Sequence, residues 1–489
     1  MDPRTPVLVG GGQLNQREDP VEPVDMIVAA ARLAAEDAGA PALAEAVQSV
    51  RVIGMLSWRY RDPGALVGER LGAPVRHTVY TGNGGSHPQA LVNDAAEDIA
   101  AGRVDVVLVG GAEAWRTRMA LRAQGEKPAW TRQGEDVGVP ETRPDVPMQH
   151  ATELRAGIDR PTSVYPLFEQ AIRVAAGRSV EEHRRHIAGL WARFSEVAAG
   201  NPAAWSRRTY SADEIMTASP TNRMVAWPYT KLLSSNNSVE QAAAVLVCSV
   251  EAATRMGVPR ERWVFPRSGS EASDTSAIAA RPGLDRSPAI RLAGAAALSE
   301  AGLSVEQLGP IDIYSCFPSA VQVAAAELGL PIDDPSRPLT VTGGLTFAGG
   351  PWNNYSTHAI ATMLAEVRRT GAPGLVSANS GYLTKHSMGI YAPDPGPRFG
   401  RVCVQDEVDA VPRTPVAVEH EGPATLESWT VLFDRDGAPE TALAALRTSG
   451  GARTLARSTA ADVLAALVGE DEAAGMDVRV SADATFSLK

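Results

Sequence analysis

Reactive side chains gather at a few turns of this sequence. Gly82-Asn83-Gly84-Gly85-Ser86-His87 sets a hydroxyl beside an imidazole. Tyr314-Ser315-Cys316 offers a phenol, a hydroxyl and a thiol. Gly349-Gly350-Pro351-Trp352-Asn353-Asn354 and Asn379 add amides, and His386 adds a second imidazole. A serine served by a histidine base is equipped for acyl transfer, so Ser86 with His87 or His386 is one reading. The other reading is structural: Ser86 caps a helix, His87 is exposed on its first turn, and the asparagines satisfy buried backbone groups. Cys316 is either a displaced thiol or core packing.

The elements that must position these groups can be read around them. Gly82, Gly84 and Gly85 allow a sharp turn, and Pro88 suits a first helical turn, where its missing N–H costs nothing. The helix that follows points free amides at the turn, a natural place for a thiolate, an oxyanion or a thioester oxygen. Val104 to Val109 then reads as a strand covered on both faces, ending in Gly110-Gly111-Ala112-Glu113. The same order of strand, Gly-rich turn, helix and strand returns from Leu339 to Gly381. AAEDAGA at Ala34 to Ala40 resembles ALSEAGL at Ala297 to Leu303, and each precedes an apolar strand candidate, Val50 to Met55 and Ile311 to Cys316. Two related α/β halves follow from this duplication.

This plan resembles the thiolase superfamily over about the first four hundred residues. It is closest to the thiolase-like protein type 1 group, near the sterol-carrier-protein-type thiolases, which has an added C-terminal domain. The resemblance implies an α/β fold of two duplicated βαβαβ halves in α-β-α-β-α layers, a helical loop domain, and a small β-rich, oligonucleotide-binding-like last domain. It also implies where catalysis would sit. Aligned through Ile99 and Gly102, the family's nucleophilic cysteine falls on Gly85; the Asn-Glu-Ala-Phe or His-Asp-Cys-Phe loop falls on Tyr314-Ser315-Cys316-Phe317. The histidine of Gly-His-Pro falls on Gly350, and the second cysteine on Asn379. With these groups replaced, cysteinyl thiolysis is not expected. The candidates for chemistry are Ser86, His87, Tyr314, Ser315, Cys316, Asn353, Asn379 and His386. Those for binding coenzyme A or an acyl-CoA are Asn83, Gly84, Gly85, Gly349, Gly350 and Asn354. No metal or covalent cofactor is implied. The function expected is that of an acyl-CoA-handling, acetyltransferase-like protein of altered or lost thiolase activity. The alternatives are a non-catalytic acyl-CoA or lipid binder and a structural partner of an active thiolase-type enzyme.

Composition sets outer bounds. The 489 residues, 44 % hydrophobic and 21 % charged, make a core of ordinary size, and a formal net charge of −11 argues against a nucleic-acid partner. Cys248, Cys316 and Cys403 are too few and too scattered for a disulfide framework or zinc site, and no signal peptide or spanning segment is apparent, so a cytoplasmic location is expected. The GGGQLN run at Gly10 lacks dinucleotide-fingerprint spacing. From Trp115 to about Ser238 the chain turns rich in Trp, Arg, Glu and Pro and reads as an insertion. Arg116, Arg118, Arg122 and Arg132 can meet phosphates there or pair with local carboxylates. Ser179 to Val197 reads as an amphipathic helix with His183 and His186 on its solvated, charged side rather than as a metal site. Ser268 to Pro288 reads as a polar connector. Domains are expected over residues 1–252, 253–396 and 397–489, the last with strands at Thr414 to His420, Glu427 to Phe433 and Met476 to Ser481. The chain is expected to be a monomer or homodimer, with a protein partner possible through the last domain.

Overall fold

The computed structural model describes residues 1–144 and 147–489. The first half holds β1 (Pro6–Asn15), α1 (Pro23–Asp37), β2 (Ser49–Val52), α2 (Pro63–Leu71), β3 (His77–Tyr80), α3 (His87–Ala100) and β4 (Val106–Ala114). An insertion follows: α4 (Trp115–Ala123), α5 (Ala151–Ala156), α6 (Pro161–Ala175), α7 (Val180–Gly200), α8 (Ala212–Met216), β5 (Met224–Ala226) and β6 (Tyr229–Thr230). Next come β7 (Glu240–Ser249) and α9 (Val250–Arg255). The second half comprises β8 (Phe265–Ser273), α10 (Pro288–Ala301), β9 (Ile311–Ile313), α11 (Pro318–Leu328), α12 (Gly344–Phe347), α13 (Tyr355–Thr370), β10 (Gly374–Ser380), β11 (Lys385–Ala392) and β12 (Gly400–Cys403). Last are α14 (Gln405–Asp409), β13 (Gly422–Phe433), β14 (Pro439–Thr448), β15 (Arg453–Ser458), α15 (Ala461–Leu467), β16 (Asp477–Val480) and β17 (Phe486–Leu488).

The duplication is written in the hydrogen bonds. The first sheet runs β1-β7-β4-β2-β3 and the second β12-β8-β11-β10-β9. In the first, β1 and β4 are antiparallel to β7 and β2 is parallel to β4; β8, β11, β10 and β9 repeat those three relations in the same order. Helices α3 and α13 lie between the two sheets and touch strands of both, while α1 covers the outer face of the first sheet and α10 that of the second. The result is the five-layer α-β-α-β-α stack. Gly10 and Gly12 belong to this packing: a Cβ on them would fall 1.9 Å from the Ala34 carbonyl oxygen and 2.0 Å from that of Ala30, so only glycine lets β1 approach α1.

Four segments differ from expectation, the first two for a polar reason. Leu339 to Thr342 is not a strand, although the Leu339 carbonyl accepts from Ile313 N (2.9 Å) beside β9. The buried carboxylate of Asp312 takes its donors instead, Thr340 Oγ1 (2.9 Å), Val341 N (3.0 Å) and Thr342 N (3.3 Å). The stretch after Phe265 is not a connector, since FPRSGSEAS forms β8 at the heart of the second sheet. Its serines on the α10 side are made compatible with burial by that helix: Ser268 Oγ donates to Ala297 O and Ser270 Oγ to Ala293 O, both at 2.6 Å. Thr414 to His420 forms no strand beyond a single bridge, Val416 to Arg453, whereas β14 and β15 carry Ala-rich, Arg-bearing sequences without a clear two-residue period. Gly400–Cys403 lies within the expected last domain but adds an edge to the second sheet.

The terminal sheet runs β15-β14-β13-β16-β17, and a bridge from Arg457 to Thr485 brings its ends together around Trp429, Leu446, Val463 and Phe486. It is seated on the insertion. Ala226 of β5 pairs with Leu432, Ser428 donates to the Leu167 carbonyl of α6, and buried Arg173 reaches Glu472 at 2.7 and 2.8 Å. No helix among the described residues is long and apolar enough to cross a membrane.

Candidate functional site

The turn before α3 meets the turns of the second half around a cavity of about 410 Å3. Its walls bring together Asn83, Gly84, Gly85, Tyr314, Cys316, Asn353 and Asn379 from the expected residues. The insertion and neighbouring loops supply what sequence reasoning missed, chiefly Tyr165, Ser234, Asn237, Trp352, Ser380 and Tyr382. No local motif marks these; Tyr165 reaches the site only because Pro161 starts α6 beneath it. Trp352 has a stronger signature in the structure than in the sequence, a φ of 46° in the left-handed region that non-glycine residues avoid.

Gly85, where the family nucleophile is expected, has no room for a side chain. A Cβ added at Gly85 would lie 2.4 Å from Tyr314 Oη and 2.6 Å from the Asn379 carbonyl oxygen. Tyr314, expected to stand where the family loop begins with Asn or His, thus puts its hydroxyl where a side chain at residue 85 would start. At Gly350, where the family histidine would stand, a Cβ would lie 2.9 Å from Asn237 Oδ1. Burial pushes the Cys316 thiol up to about 12 and raises the hydroxyls of Tyr314 and Tyr165. These groups are protonated, neutral donors at neutral pH. Tyr165 is held stacked on Phe317 (4.7 Å between centroids, 18°), and its oxygen accepts from Asn379 Nδ2 (3.0 Å) and Leu383 N (3.1 Å).

The asparagines tie the halves together. Asn353 Oδ1 accepts from Gly84 N (2.9 Å) while its Nδ2 donates to Gly54 O (2.8 Å). Asn354 Nδ2 donates to Gly111 O (2.6 Å) and its Oδ1 accepts from Thr357. Asn354 therefore belongs to the seam and does not line the cavity. Gly349 and Gly350 do not line it either, nor does Ser315, which is fully buried and accepts from Leu345 N.

Neither serine–histidine pairing forms. Ser86 makes no cap hydrogen bond; its Oγ meets Ser380 Oγ at 2.7 Å, crossing from one half to the other. His87 is buried rather than exposed, with Nδ1 3.2 Å from the Gly82 carbonyl. His386 lies against Ser287 (3.5 Å) and Asp274 (3.8 Å) at the start of α10, away from the cavity, and burial lowers it to about 4. His183 also departs from expectation: it is buried on α7, with Nε2 2.6 Å from the fully buried Glu169 carboxylate, which Gln322 and Tyr229 also bond. The apolar stripe of α7 is wide enough to take His183 with it.

Three polar atoms of cavity residues have no hydrogen-bond partner among the described residues: Asn379 Oδ1, Ser234 Oγ and Trp352 Nε1. An acceptor, a hydroxyl and a donor are thus left over on residues of the wall, and no carboxylate or imidazole lines it among the described residues.

Comparison with known proteins agrees with this architecture. Residues 403–485 match the family described as thiolase-like protein type 1 additional C-terminal domain. The crystal structure of a monomeric SCP2-thiolase like protein type 1 from Mycobacterium smegmatis is 32 % identical, covers 100 % of both chains and superposes with a TM-score of 0.85. The chain belongs to the SCP2-thiolase-like protein type 1 family. Two more distant structures share the fold over 80 % of the chain and 99 % of their own: acetyl-CoA acetyltransferase from Syntrophomonas wolfei (16 % identity, TM-score 0.55) and human mitochondrial 3-ketoacyl-CoA thiolase (17 %, 0.57). No curated protein matches the sequence. The additional domain of this family accounts for the small terminal sheet.

Proposed function

We propose that the chain binds an acyl thioester, such as an acyl-CoA, or a similar carbonyl compound, without attacking it. One observation carries this reading: Tyr314 Oη occupies the space of the side chain that would attack. The wall is suited to binding. Leu56, Met148, Phe317 and Leu345 supply apolar surface, and Asn379 Oδ1 and Trp352 Nε1 await a donor and an acceptor. The choice of a coenzyme A ester follows the acetyltransferase and thiolase relatives and is an argument from fold. The chain acts as a monomer in this reading, like its Mycobacterium smegmatis relative, because Glu141 already pairs with the edge strand β3. A cytoplasmic location fits such a ligand.

Titration with a panel of CoA thioesters, followed by calorimetry and by free-thiol release, tests the proposal. Saturable binding with no release above buffer is expected. Asn379→Leu should weaken it about two- to tenfold, the range of one lost hydrogen bond. Sustained thiol release would establish an enzyme, and no binding at millimolar concentration would leave the cavity without an acyl ligand.

A further inference from the structure

On the far side of the Leu56–Ser57 turn lies a second concavity, of about 650 Å3, lined by Trp58, Trp115 and Gln133 among others. Six cations face into it, Arg59, Arg61, Arg118, Arg122, Lys127 and Arg132, and none of the lining residues is acidic. In a chain of net charge −11 this is a sharp local inversion. Elsewhere clustered arginines are matched with carboxylates at two places: Arg401 with Asp94, Glu97 and Glu271, and Arg453 with Glu427. None of the six groove cations has an ion pair among the described residues. Six like charges around one concavity repel one another unless an anion joins them.

The walls are also braced. Gln133 Oε1 accepts from the backbone N–H of Arg61 (2.9 Å) and of Asp62 (2.8 Å), and Trp58 Nε1 donates to Thr131 O (2.9 Å). These bonds join the 58–62 loop to the 130–133 loop. Arg132 lies over the Trp58 ring at 5.8 Å, and Trp130 meets that ring edge-on at 5.5 Å. Arg118 and Arg122 stand one turn apart on α4 and so project to the same side. Guanidinium forks on opposed, braced walls fit the geometry of phosphate oxygens, which accept paired N–H bonds. The volume is that of a small-molecule site.

We infer that this groove binds a phosphorylated small molecule, through a di- or polyphosphate group held between the 59–61 loop and α4. The inference does not depend on what occupies the neighbouring cavity. Calorimetric titration with inorganic diphosphate and, separately, with adenosine diphosphate tests it on the full chain, with anionic phospholipid vesicles as a third arm. Saturable binding of either soluble phosphate, weakening as salt rises, is expected. Arg118→Glu/Arg122→Glu should lower that affinity about ten- to hundredfold, the range for lost charge-assisted bonds. Arg398→Glu/Arg435→Glu, neither of which lines the groove, should leave it within about twofold. Circular dichroism and melting show whether each variant is folded, and if the groove variant is not, Arg122→Gln alone carries the test. No saturable binding of either phosphate at millimolar concentration, equal binding by the folded groove variant, or binding to vesicles only would overturn the inference.

Discussion

Placing a cysteine at Gly85, where the family nucleophile is expected, makes the strongest test of the site, because the structure sets a steric price on it. In Gly85→Cys the new Cβ would start 2.4 Å from Tyr314 Oη and 2.6 Å from the Asn379 carbonyl oxygen. Neither can simply withdraw. Asn379 is fixed in the β10–β11 ladder opposite His386, and the Tyr314 ring stands edge-on to Tyr355 (5.4 Å, 85°), itself bonded to Asp312 at 2.9 Å. Overpacking of this kind costs about 1–3 kcal/mol, roughly a 5- to 150-fold rise in the unfolding constant. Tyr314→Ala alone is also destabilising, by about 3–5 kcal/mol, through the cavity it leaves. The two changes relieve each other, so the double variant should be more stable than the sum of the singles by about 1–3 kcal/mol. Urea unfolding of the four proteins measures this term, and acetoacetyl-CoA thiolysis is followed alongside. No thiolysis is expected from any of them, since Gly350 offers no imidazole. Additive stabilities would refute the packing argument, and thiolysis by the single variant would refute the placement of the missing histidine.

Other outcomes follow from buried groups elsewhere. Burial lowers His386 from 6.5 to about 4, with Arg281 nearby adding to burial and Asp274 opposing it. Its contribution to stability is therefore complete above pH 6.5 and lost as pH falls through about 4; that loss amounts to about 3 kcal/mol, and urea midpoints between pH 7 and 4 should fall less in His386→Gln than in the parent. Equal slopes would show that burial does not lower the pKa of His386 in the folded chain. Fully buried Arg453 binds Glu427 and donates to the carbonyls of Ala279 (3.0 Å) and Arg281 (2.6 Å), so Arg453→Met should destabilise by about 3–5 kcal/mol and speed proteolysis near residues 393–399; an unchanged digestion rate would show that the terminal sheet is held without it. Glu141 N donates to Thr78 O (3.1 Å) and its carbonyl accepts from Tyr80 N (2.9 Å), covering the β3 edge. Glu141→Pro removes that donor, and light scattering should then detect association through the exposed strand; a wholly monomeric variant would show that the edge is protected by other means.

The fold was legible because its signals are local and doubled. The AAEDAGA and ALSEAGL helices and the two Gly-rich turns announce the halves, and the structure places α1 and α10, and α3 and α13, in equivalent layers. β8 and the Leu339 stretch were misread because their state is decided at a distance, by the carbonyls of α10 and the carboxylate of Asp312. The same limit governed the site. Asn83, Tyr314, Cys316 and Asn379 were found from the turns that carry them. Tyr165 and Ser234 come from the insertion, whose sequence has no register against the halves.

Polar residues at catalytic turns need not be catalytic, and the seam between the halves shows why. A thiolase-like duplication sets two Gly-rich turns against each other, and each leaves backbone groups that demand partners once water is excluded. Asn353 satisfies Gly84 N and Gly54 O, Asn354 satisfies Gly111 O, Ser356 donates to Gly85 O at 3.1 Å, and Ser86 meets Ser380. Every one of these bonds joins the first half to the second. Short polar side chains at the turns are thus required by the fold itself, whether or not a nucleophile stands among them. What distinguishes a binding site from a seam is the polar atom left over, and in this cavity Asn379 Oδ1 and Trp352 Nε1 are left over. A ligand that supplies one donor and one acceptor across the cavity should gain from both atoms, whereas a pure hydrocarbon of equal volume leaves both unsatisfied. Competition between an acyl thioester that carries an amide N–H and an alkane of matched length separates the two cases, and equal affinity would show that neither atom takes part in binding.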